Sequence, residues 1–426
     1  MKSLEAVCVT SDEIKRTQIL FHETTGLIES VGDLGIPKHK LDEYYSDECY
    51  LFAGMGDVHI HAREDVSGKN NYKEDFTSAR EALHNGGLCH AGDMPNNPIP
   101  PVDKKSYEEK FHLTLKTQGE IWIYAGIGPG TRPLGYPVPY KVYMGPSIGE
   151  LFFKDLSTLD ETLSHYRGQT VSFHCEDPEI LEENKHCTHH HERRPVSAEV
   201  VATKDALMLI EKYQLKGKLC HYSSGEGLRL IREARERGVN VVIEVTPQHL
   251  FYDLDKIQEV DLTSFQMNPP IRPHHDRLAL LEALKKGEIN YLATDHAPHS
   301  PEEKKQGTSG LTGLDTFGPF VTWLLEEGID PKLIAKVASE NPGDFFNQFL
   351  PSWSKLSPLY ASMNKGVGYL KPGYRANFTI LNLRKPLHIN ERMLKTKARH
   401  SPFLGITFPG QVEALYIGGK KIGSLE

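Results

Sequence analysis

The segment Gly56-Asp57-Val58-His59-Ile60-His61-Ala62-Arg63 decides how the rest of this chain is interpreted. It is an apolar, strand-like run that ends in two histidines one residue apart. Because side chains alternate along a strand, His59 and His61 share a face. Two imidazoles side by side at a strand end can bind a metal ion. A lone His-x-His pair is a weak signal, so its meaning depends on whether the rest of the chain supplies further ligands.

Length and composition exclude several classes of protein. The 426 residues carry a formal net charge of −8 and are enough for a large core, either one large domain with an appendage or two to three domains. An acidic balance argues against nucleic acid or an anionic membrane as the main partner. The six cysteines form no CxxC pair, and the sequence has neither a signal-peptide core nor an apolar run of about 18 residues. We therefore expect a cytoplasmic protein without a membrane span.

Between residues 57 and 300, apolar runs alternate with amphipathic, helix-like stretches. The candidate strands are 56–61, 88–93, 121–127, 141–144, 171–174, 218–223, 241–246 and 291–295. Strands that alternate with helices indicate a parallel sheet, and eight such units predict an α/β fold, a (β/α)₈ TIM-like barrel over residues 56–364. Residues 1–55 and 365–426 carry short β-type runs, which predict one small β-sandwich domain built from both termini.

Polar residues stand out near the ends of these strands, where a barrel carries its chemistry. The candidate metal ligands are His59, His61, Lys141, His174, His221 and Asp295. Lys141 is the exception, because it opens its run. Each histidine alone could be a hydrogen-bonded core residue, but near the ends of separate strands they are expected to converge on one point. Four imidazoles and a carboxylate suit zinc, ahead of manganese, cobalt or iron.

Lys141 and Asp295 suggest the chemistry of such a site. A protonated lysine would be repelled by two cations, whereas a neutral lysine can take up carbon dioxide to form a carbamate that bridges two metals. A surface lysine before a strand is the alternative. Asp295 could ligate one metal and act as a general base that later protonates a leaving nitrogen. Two metals with such a base predict hydrolysis, or its reversal, at an amide-like carbon.

Three motifs make the pattern family-specific. They are Asp57-Val58-His59-Ile60-His61-Ala62-Arg63-Glu64, Asp93-Met94-Pro95-Asn96-Asn97-Pro98 and Asp295-His296-Ala297-Pro298-His299-Ser300-Pro301-Glu302-Glu303-Lys304. Together they resemble the dihydroorotase family within the amidohydrolase superfamily. The resemblance covers residues 54–345 and extends to 366–383, which are similar to the closing signature of cyclic amidohydrolases.

The resemblance implies two zinc ions and a set of roles. His59, His61, carbamylated Lys141 and Asp295 would hold one zinc, and Lys141, His174 and His221 the other, with Asp295 as the acid and base. Arg63, Asn96 and His299 would bind the substrate carboxylate, and Asn268 would meet the ring amides. The implied reaction is the reversible cyclisation of N-carbamoyl-L-aspartate to L-dihydroorotate, a step of pyrimidine synthesis. Relatives of this fold are often dimers or tetramers, so a homo-oligomer is expected.

Arg63 supports an anionic small-molecule substrate independently of the resemblance. Two residues beyond His61 on the same strand face, its planar guanidinium would reach a carboxylate beside the metals. A neutral ring would leave that charge unpaired. The alternatives are that Arg63 pairs with Glu64 or Asp65, that His299 is a surface or outer histidine, and that Asn96 only shapes its loop.

Some residues depart from the family pattern. Asn97 stands where threonine is expected and Gln248 where a histidine is frequent. The histidine-rich run His186–His191 also departs from the pattern, and we expect a solvated loop there and not an additional metal site. The segment from Asp93 to Pro101 also echoes allantoinase. An allantoinase- or dihydropyrimidinase-like hydrolase and a catalytically silent scaffold are therefore the alternative functions, although a silent relative would typically lack some of the ligands.

Overall fold

The computed structural model describes residues 1–146, 151–257 and 262–423. The strands in chain order are β1 (Lys2–Val9), β2 (Ile14–Phe21), β3 (Ile28–Gly32), β4 (Glu43–Tyr44), β5 (Cys49–Ala53), β6 (Met55–Ile60), β7 (Leu88–Asp93), β8 (Ile121–Ile123), β9 (Ala125–Ile127), β10 (Tyr140–Tyr143), β11 (Thr170–His174), β12 (Lys216–Leu219), β13 (Val241–Val245), β14 (Tyr291–Leu292), β15 (Phe378–Asn382), β16 (Leu387–His388), β17 (Thr407–Phe408), β18 (Gln411–Ile417) and β19 (Lys420–Lys421).

The helices lie mostly between the strands of the central region. They are α1 (Phe76–Asn85), α2 (Lys104–Thr114), α3 (Leu156–Leu163), α4 (Pro178–Asn184), α5 (His190–Arg193), α6 (Val196–Tyr213), α7 (Gly225–Glu236), α8 (Pro247–Phe251), α9 (Leu254–Ile257), α10 (His274–Lys285), α11 (Pro301–Lys305), α12 (Phe317–Glu326), α13 (Pro331–Ala335), α14 (Asn341–Asn347), α15 (Leu350–Leu356) and α16 (Pro358–Ala361). In the described part of the chain, every helix falls short of the length and apolar character that a membrane span requires.

The central strands form two parallel sheets. One has the order β6-β7-β8, and the other runs β14-β13-β12-β11-β10-β9. Two features join them: Ile60 at the end of β6 bridges in parallel to His296, and Tyr124 alone separates β8 from β9. The expected α/β fold with parallel sheets is confirmed.

The predicted strands are present, with the third divided into β8 and β9, but five of them end earlier than expected, the sixth and eighth by three or more residues. The strand predicted over 88–93 has those bounds, whereas the sixth and eighth strands end at Leu219 and Leu292. His221 therefore does not lie in a strand, and Asp295 does not end one. The backbone φ angles of His221 and Asp295 are 35° and 47°, which extended strands do not allow.

The first strand of the central region also ends one residue early, at Ile60. His61 follows the strand, and Arg63 has a φ of 65°. The expectation that Arg63 continues the strand face of His61 was therefore wrong. The turn is anchored by Asp93, whose Oδ1 accepts a hydrogen bond from the Ala62 backbone N–H at 2.7 Å.

Asp57 anchors the Asp295 segment to the His59 strand. Its buried carboxylate accepts hydrogen bonds from Thr294, at 2.6 Å from Oγ1 and at 3.1 and 3.2 Å from the backbone N. Because Asp57 lies two residues before His59 and Thr294 one residue before Asp295, this contact sets the spacing between the two candidate ligands.

Strands from both ends of the chain form one sheet. Its order is β19-β18-β15-β5-β1-β2-β3, with β4 paired to β1. The join is β15, which pairs antiparallel with β5 and with β18. Phe21 from the N-terminal part packs edge-on against Phe378 and Tyr416 from the C-terminal part, with ring centroids 5.4 and 6.0 Å apart.

Candidate active site

One cavity beside the ends of the parallel strands brings most of the predicted site residues together. It is lined by His59, His61, Arg63, Asn96, His174, His221, Asn268 and Asp295, and also by Tyr143, Ala297, Ser309 and Gly310. The two remaining predicted residues, Lys141 and His299, are fully buried behind this wall. Residues from positions 59 to 310 therefore converge, as the predicted alternation of strands and helices requires.

His59, His61 and Asp295 present their ligand atoms to one another. Asp295 Oδ1 lies 3.2 Å from His59 Nε2 and 3.1 Å from His61 Nε2. Donors at about 2.0–2.1 Å from a tetrahedral zinc ion would lie about 3.3 Å apart, which is close to these separations. The set is therefore suited to hold a small divalent cation.

The Nδ1 atoms of His59 and His61 are both hydrogen-bonded to side chains other than Asp295. His59 Nδ1 donates to the buried carboxylate of Glu244, and His61 Nδ1 donates to Asn96 Oδ1 at 2.7 Å. A neutral imidazole has one N–H, so these bonds leave the Nε2 lone pairs pointing at Asp295. Such outer partners typically orient metal-binding histidines.

His174 uses the other ring nitrogen for its hydrogen bond to a carboxylate. Its Nε2 donates to Glu176 Oε2 at 2.8 Å, which leaves the Nδ1 lone pair directed into the site. This Nδ1 atom lies 2.9 Å from His221 Nε2. His174 and His221 therefore form a second pair of candidate ligand nitrogens, and the His59 and His221 ring centroids are 5.3 Å apart.

Lys141 has a buried side chain, and among the described residues no carboxylate lies within 4 Å of its Nζ. It lies in the middle of β10, so the expected boundary at this strand was one residue late. Within the described residues, its Nζ has neither a hydrogen-bond partner nor an ion pair within 4 Å. A buried ammonium in such a position is costly. The chemistry that would relieve this cost is conversion to an anionic group beside cations.

Burial controls the protonation of the cavity. Burial, reinforced by nearby cations that include Lys141, holds the pKa of His59 and of His61 well below the usual range, so both rings are neutral and able to bind a metal. Burial likewise lowers the pKa of His221. Burial also raises the pKa of Asp295 to about 7.

Arg63 forms the cationic wall of the cavity. Its Nε donates to the Pro298 carbonyl oxygen at 3.3 Å, and its Nη2 donates to His299 Nε2 at 3.2 Å. Among the described residues, no carboxylate lies within ion-pair distance of Arg63. Glu64 instead pairs with Lys116. The expected alternative, pairing with Glu64 or Asp65, is therefore not what the structure contains.

His299 lies behind Arg63. Its other ring nitrogen, Nδ1, lies 3.3 Å from Glu303 Oε2, and burial together with the charge of Arg63 strongly lowers the pKa of His299. A neutral His299 with its proton on Nδ1 accepts from Arg63 and fixes the guanidinium. It holds the cationic group in place from outside the cavity.

Three residues of this candidate site were missed in the sequence. Glu244 contacts His59 and accepts a hydrogen bond from the His221 backbone N–H at 3.0 Å, Glu176 orients His174, and Tyr143 lines the cavity. Glu244 had a signal, because it is an acid inside the apolar strand Val241–Val245. Glu176 follows His174 by two residues, but that spacing alone does not predict a hydrogen bond between the two side chains.

Comparison with known proteins places this geometry in context. No protein-family model matches the chain. A dihydroorotase from Bacillus cereus is 30% identical over 394 residues, which cover 86% of this chain and 85% of that protein. A dihydroorotase from Methanosphaera stadtmanae is 28% identical over 410 residues, covering 89% of this chain and 87% of that protein.

Solved structures show the same fold at lower identity. The L-hydantoinase (dihydropyrimidinase) from Arthrobacter aurescens superposes with a TM-score of 0.85 at 21% identity, over 99% of this chain and 95% of that one. A D-hydantoinase (dihydropyrimidinase) from Thermus sp. has a TM-score of 0.81 at 18% identity, with the same coverage.

Proposed function

The chain belongs to the dihydroorotase family and is a hydrolase of cyclic amide bonds, and we propose that it interconverts N-carbamoyl-L-aspartate and L-dihydroorotate in pyrimidine synthesis. The observation that carries the proposal is the single cavity in which Arg63 stands beside His59, His61, His174, His221 and Asp295. Dihydroorotate combines a cyclic amide with a carboxylate, and this cavity combines candidate metal ligands with an arginine that has no carboxylate partner in the described residues.

We propose that the site holds two zinc ions. His59, His61 and Asp295 would hold one, His174 and His221 the other, and a carbamate on Lys141 would bridge them. The fixed lone pairs of the histidines support this assignment, as does the buried Lys141 Nζ, which has no hydrogen-bond partner among the described residues. Bound zinc ions supply Lewis acidity at a carbonyl and make water a stronger nucleophile near neutral pH.

The side chains of the cavity transfer the proton and bind the substrate. In hydrolysis, a carboxylate oxygen of Asp295 accepts a proton from the attacking water and then donates it to the ring nitrogen that leaves. Arg63 binds the substrate carboxylate through its planar guanidinium. Asn96 also lines the cavity on this side, Asn268 faces the ring amides, and His299 acts on the carboxylate through Arg63.

We also propose a domain organisation and an assembly. The bridge from Ile60 to His296 and the near-continuity of β8 and β9 support closure of the two parallel sheets into a (β/α)₈ barrel over 56–364. Residues 1–55 and 365–426 would form the small β-sandwich, although 424–426 lie outside the described residues. A homo-oligomer, dimer or tetramer, is expected from the resemblance, and light scattering tests it. All six cysteines are unpaired, which supports a cytoplasmic setting.

The decisive experiment compares four substrates on the purified protein. Dihydroorotate, allantoin, hydantoin and dihydrouracil are assayed side by side, together with zinc content. We expect turnover of dihydroorotate well above the three neutral rings. Turnover of a neutral ring without dihydroorotate would refute the proposed substrate, and a protein that retains no metal would support the scaffold alternative.

A further inference from the structure

The histidine-rich run His186–His191 does not remain apart from the cavity. His186 and His189 are exposed, and the rings of His189 and His191 stack on each other with centroids 5.6 Å apart. His190, the first residue of α5, instead turns toward the segment that carries Asn268. Its Nε2 lies 2.9 Å from the Met267 carbonyl oxygen and 3.1 Å from Asn268 Oδ1.

These contacts fix the tautomer of His190. Burial lowers the pKa of His190 to about 4, so the ring is neutral near pH 7 and carries one N–H. The Met267 carbonyl oxygen can only accept a hydrogen bond. Since it faces Nε2, the proton must lie on Nε2.

The tautomer in turn fixes the orientation of the Asn268 amide. A protonated Nε2 has no lone pair to accept a hydrogen bond, so the Asn268 atom that faces it at 3.1 Å must be the oxygen and not the NH₂ group. The Asn268 NH₂ group is then directed away from His190, while Asn268 itself lines the cavity. Ser309 Oγ, on the neighbouring wall, lies 3.5 Å from the same Nε2 atom.

We propose that His190 is a positioning residue that locks the Asn268 amide with its NH₂ group toward the substrate, where it donates to a carbonyl oxygen of the cyclic amide ring. The inference rests on the proposed function, because it assumes that a cyclic amide occupies this cavity. The lock links the run His186–His191 to the cavity wall. It converts a surface loop into a specificity determinant for rings with a carbonyl at that position.

The test is a double-mutant cycle on the zinc-loaded, full-length enzyme. His190→Ala removes the lock, and we expect KM to rise about 3- to 10-fold while kcat changes less than about 2-fold, because ring binding is lost equally in the ground and transition states. In the Asn268→Ala background, His190→Ala should have no further effect on KM. His190→Gln, whose NH₂ group can donate to both acceptors, should restore part of the loss.

The controls separate this lock from a structural role. His186→Ala removes an exposed histidine of the same run and should leave KM, melting temperature and zinc content unchanged. A KM increase for His190→Ala that persists undiminished in the Asn268→Ala background would overturn the inference, as would a wild-type KM for His190→Ala.

The choice of substrate for the cycle separates a failure of the proposed substrate from a failure of the inference about His190. The cycle is run with whichever of the four cyclic amides the wild-type enzyme hydrolyses best. If that ring is not dihydroorotate, the proposed substrate fails while the cycle still decides the role of His190. If dihydroorotate is hydrolysed and the cycle shows no coupling, only the inference about His190 fails.

Discussion

Glu176 determines which nitrogen of His174 faces the cavity. The two side chains are fully buried, and Glu176 Oε2 lies 2.8 Å from His174 Nε2. Arg194 forms an ion pair with the same carboxylate, and Arg194 and His174 lower the pKa of Glu176 despite its burial. An ionised Glu176 therefore holds the proton of His174 on Nε2 and leaves the Nδ1 lone pair facing the cavity.

Glu176→Gln should weaken metal binding without removing a ligand. The amide keeps the side-chain shape but loses the charge that fixes the His174 tautomer, so we expect zinc affinity to fall about 10- to 100-fold. Competition with a chromogenic chelator measures this affinity. Glu179→Gln, an exposed position two residues after Asp177, is the matched control and should retain wild-type affinity. An unchanged affinity in Glu176→Gln would contradict the orienting role.

Arg63→Met should discriminate between charged and neutral rings. Charge-assisted hydrogen bonds contribute about 1.5–3 kcal/mol, so kcat/KM for dihydroorotate should fall about 10- to 150-fold. Any activity on dihydrouracil should change little, because that ring has no carboxylate to lose. Steady-state kinetics on both substrates measure the difference. Arg384→Met at an exposed site is the control, and equal losses on both rings would count against carboxylate binding by Arg63.

Reconstitution with zinc should depend on carbon dioxide. If Lys141 becomes a bridging carbamate, apoprotein refilled with zinc in bicarbonate should bind more metal per chain than in a solution purged of carbon dioxide. Lys141→Ala should bind less metal and show no such dependence. Metal analysis after desalting measures the ratio. Full occupancy by two ions in Lys141→Ala would exclude the bridging role.

His90 should make the stability of the protein sensitive to acid. The ring is buried against Trp122, with centroids 5.5 Å apart, and burial lowers the pKa of His90 to about 3. An exposed histidine has a pKa of about 6.5. Between these values the unfolded chain binds the proton and the folded protein does not, so the free energy of unfolding falls as the pH drops from about 6.5 toward 3.

His90→Met should reduce this pH dependence, because methionine has a similar volume and does not ionise. Urea denaturation at several pH values between 4 and 7 measures the slope of the unfolding free energy. His112→Met, an exposed position, should retain the wild-type slope. A wild-type slope in His90→Met would show that His90 is not responsible.

Sequence periodicity predicted the positions of the central strands, because the apolar runs in the sequence are the segments that become buried strands. The strand predicted over 88–93, observed with the same bounds, illustrates this. The pattern could not predict that the strands end before Arg63, His221 and Asp295. Each of these residues adopts a positive φ that only the folded surroundings impose. Glu176 escaped notice for a similar reason, because its partner is defined by ring orientation and not by spacing.

The sheet that joins both ends of the chain has a consequence for synthesis. Strand β5 is complete once residue 53 is made, but its neighbour β15 begins at residue 378, so one edge of β5 stays unpaired while about 325 intervening residues are translated. The sheet therefore cannot close before residues 378–382 are made, and a chain interrupted before Phe378 would expose an edge able to pair with other chains.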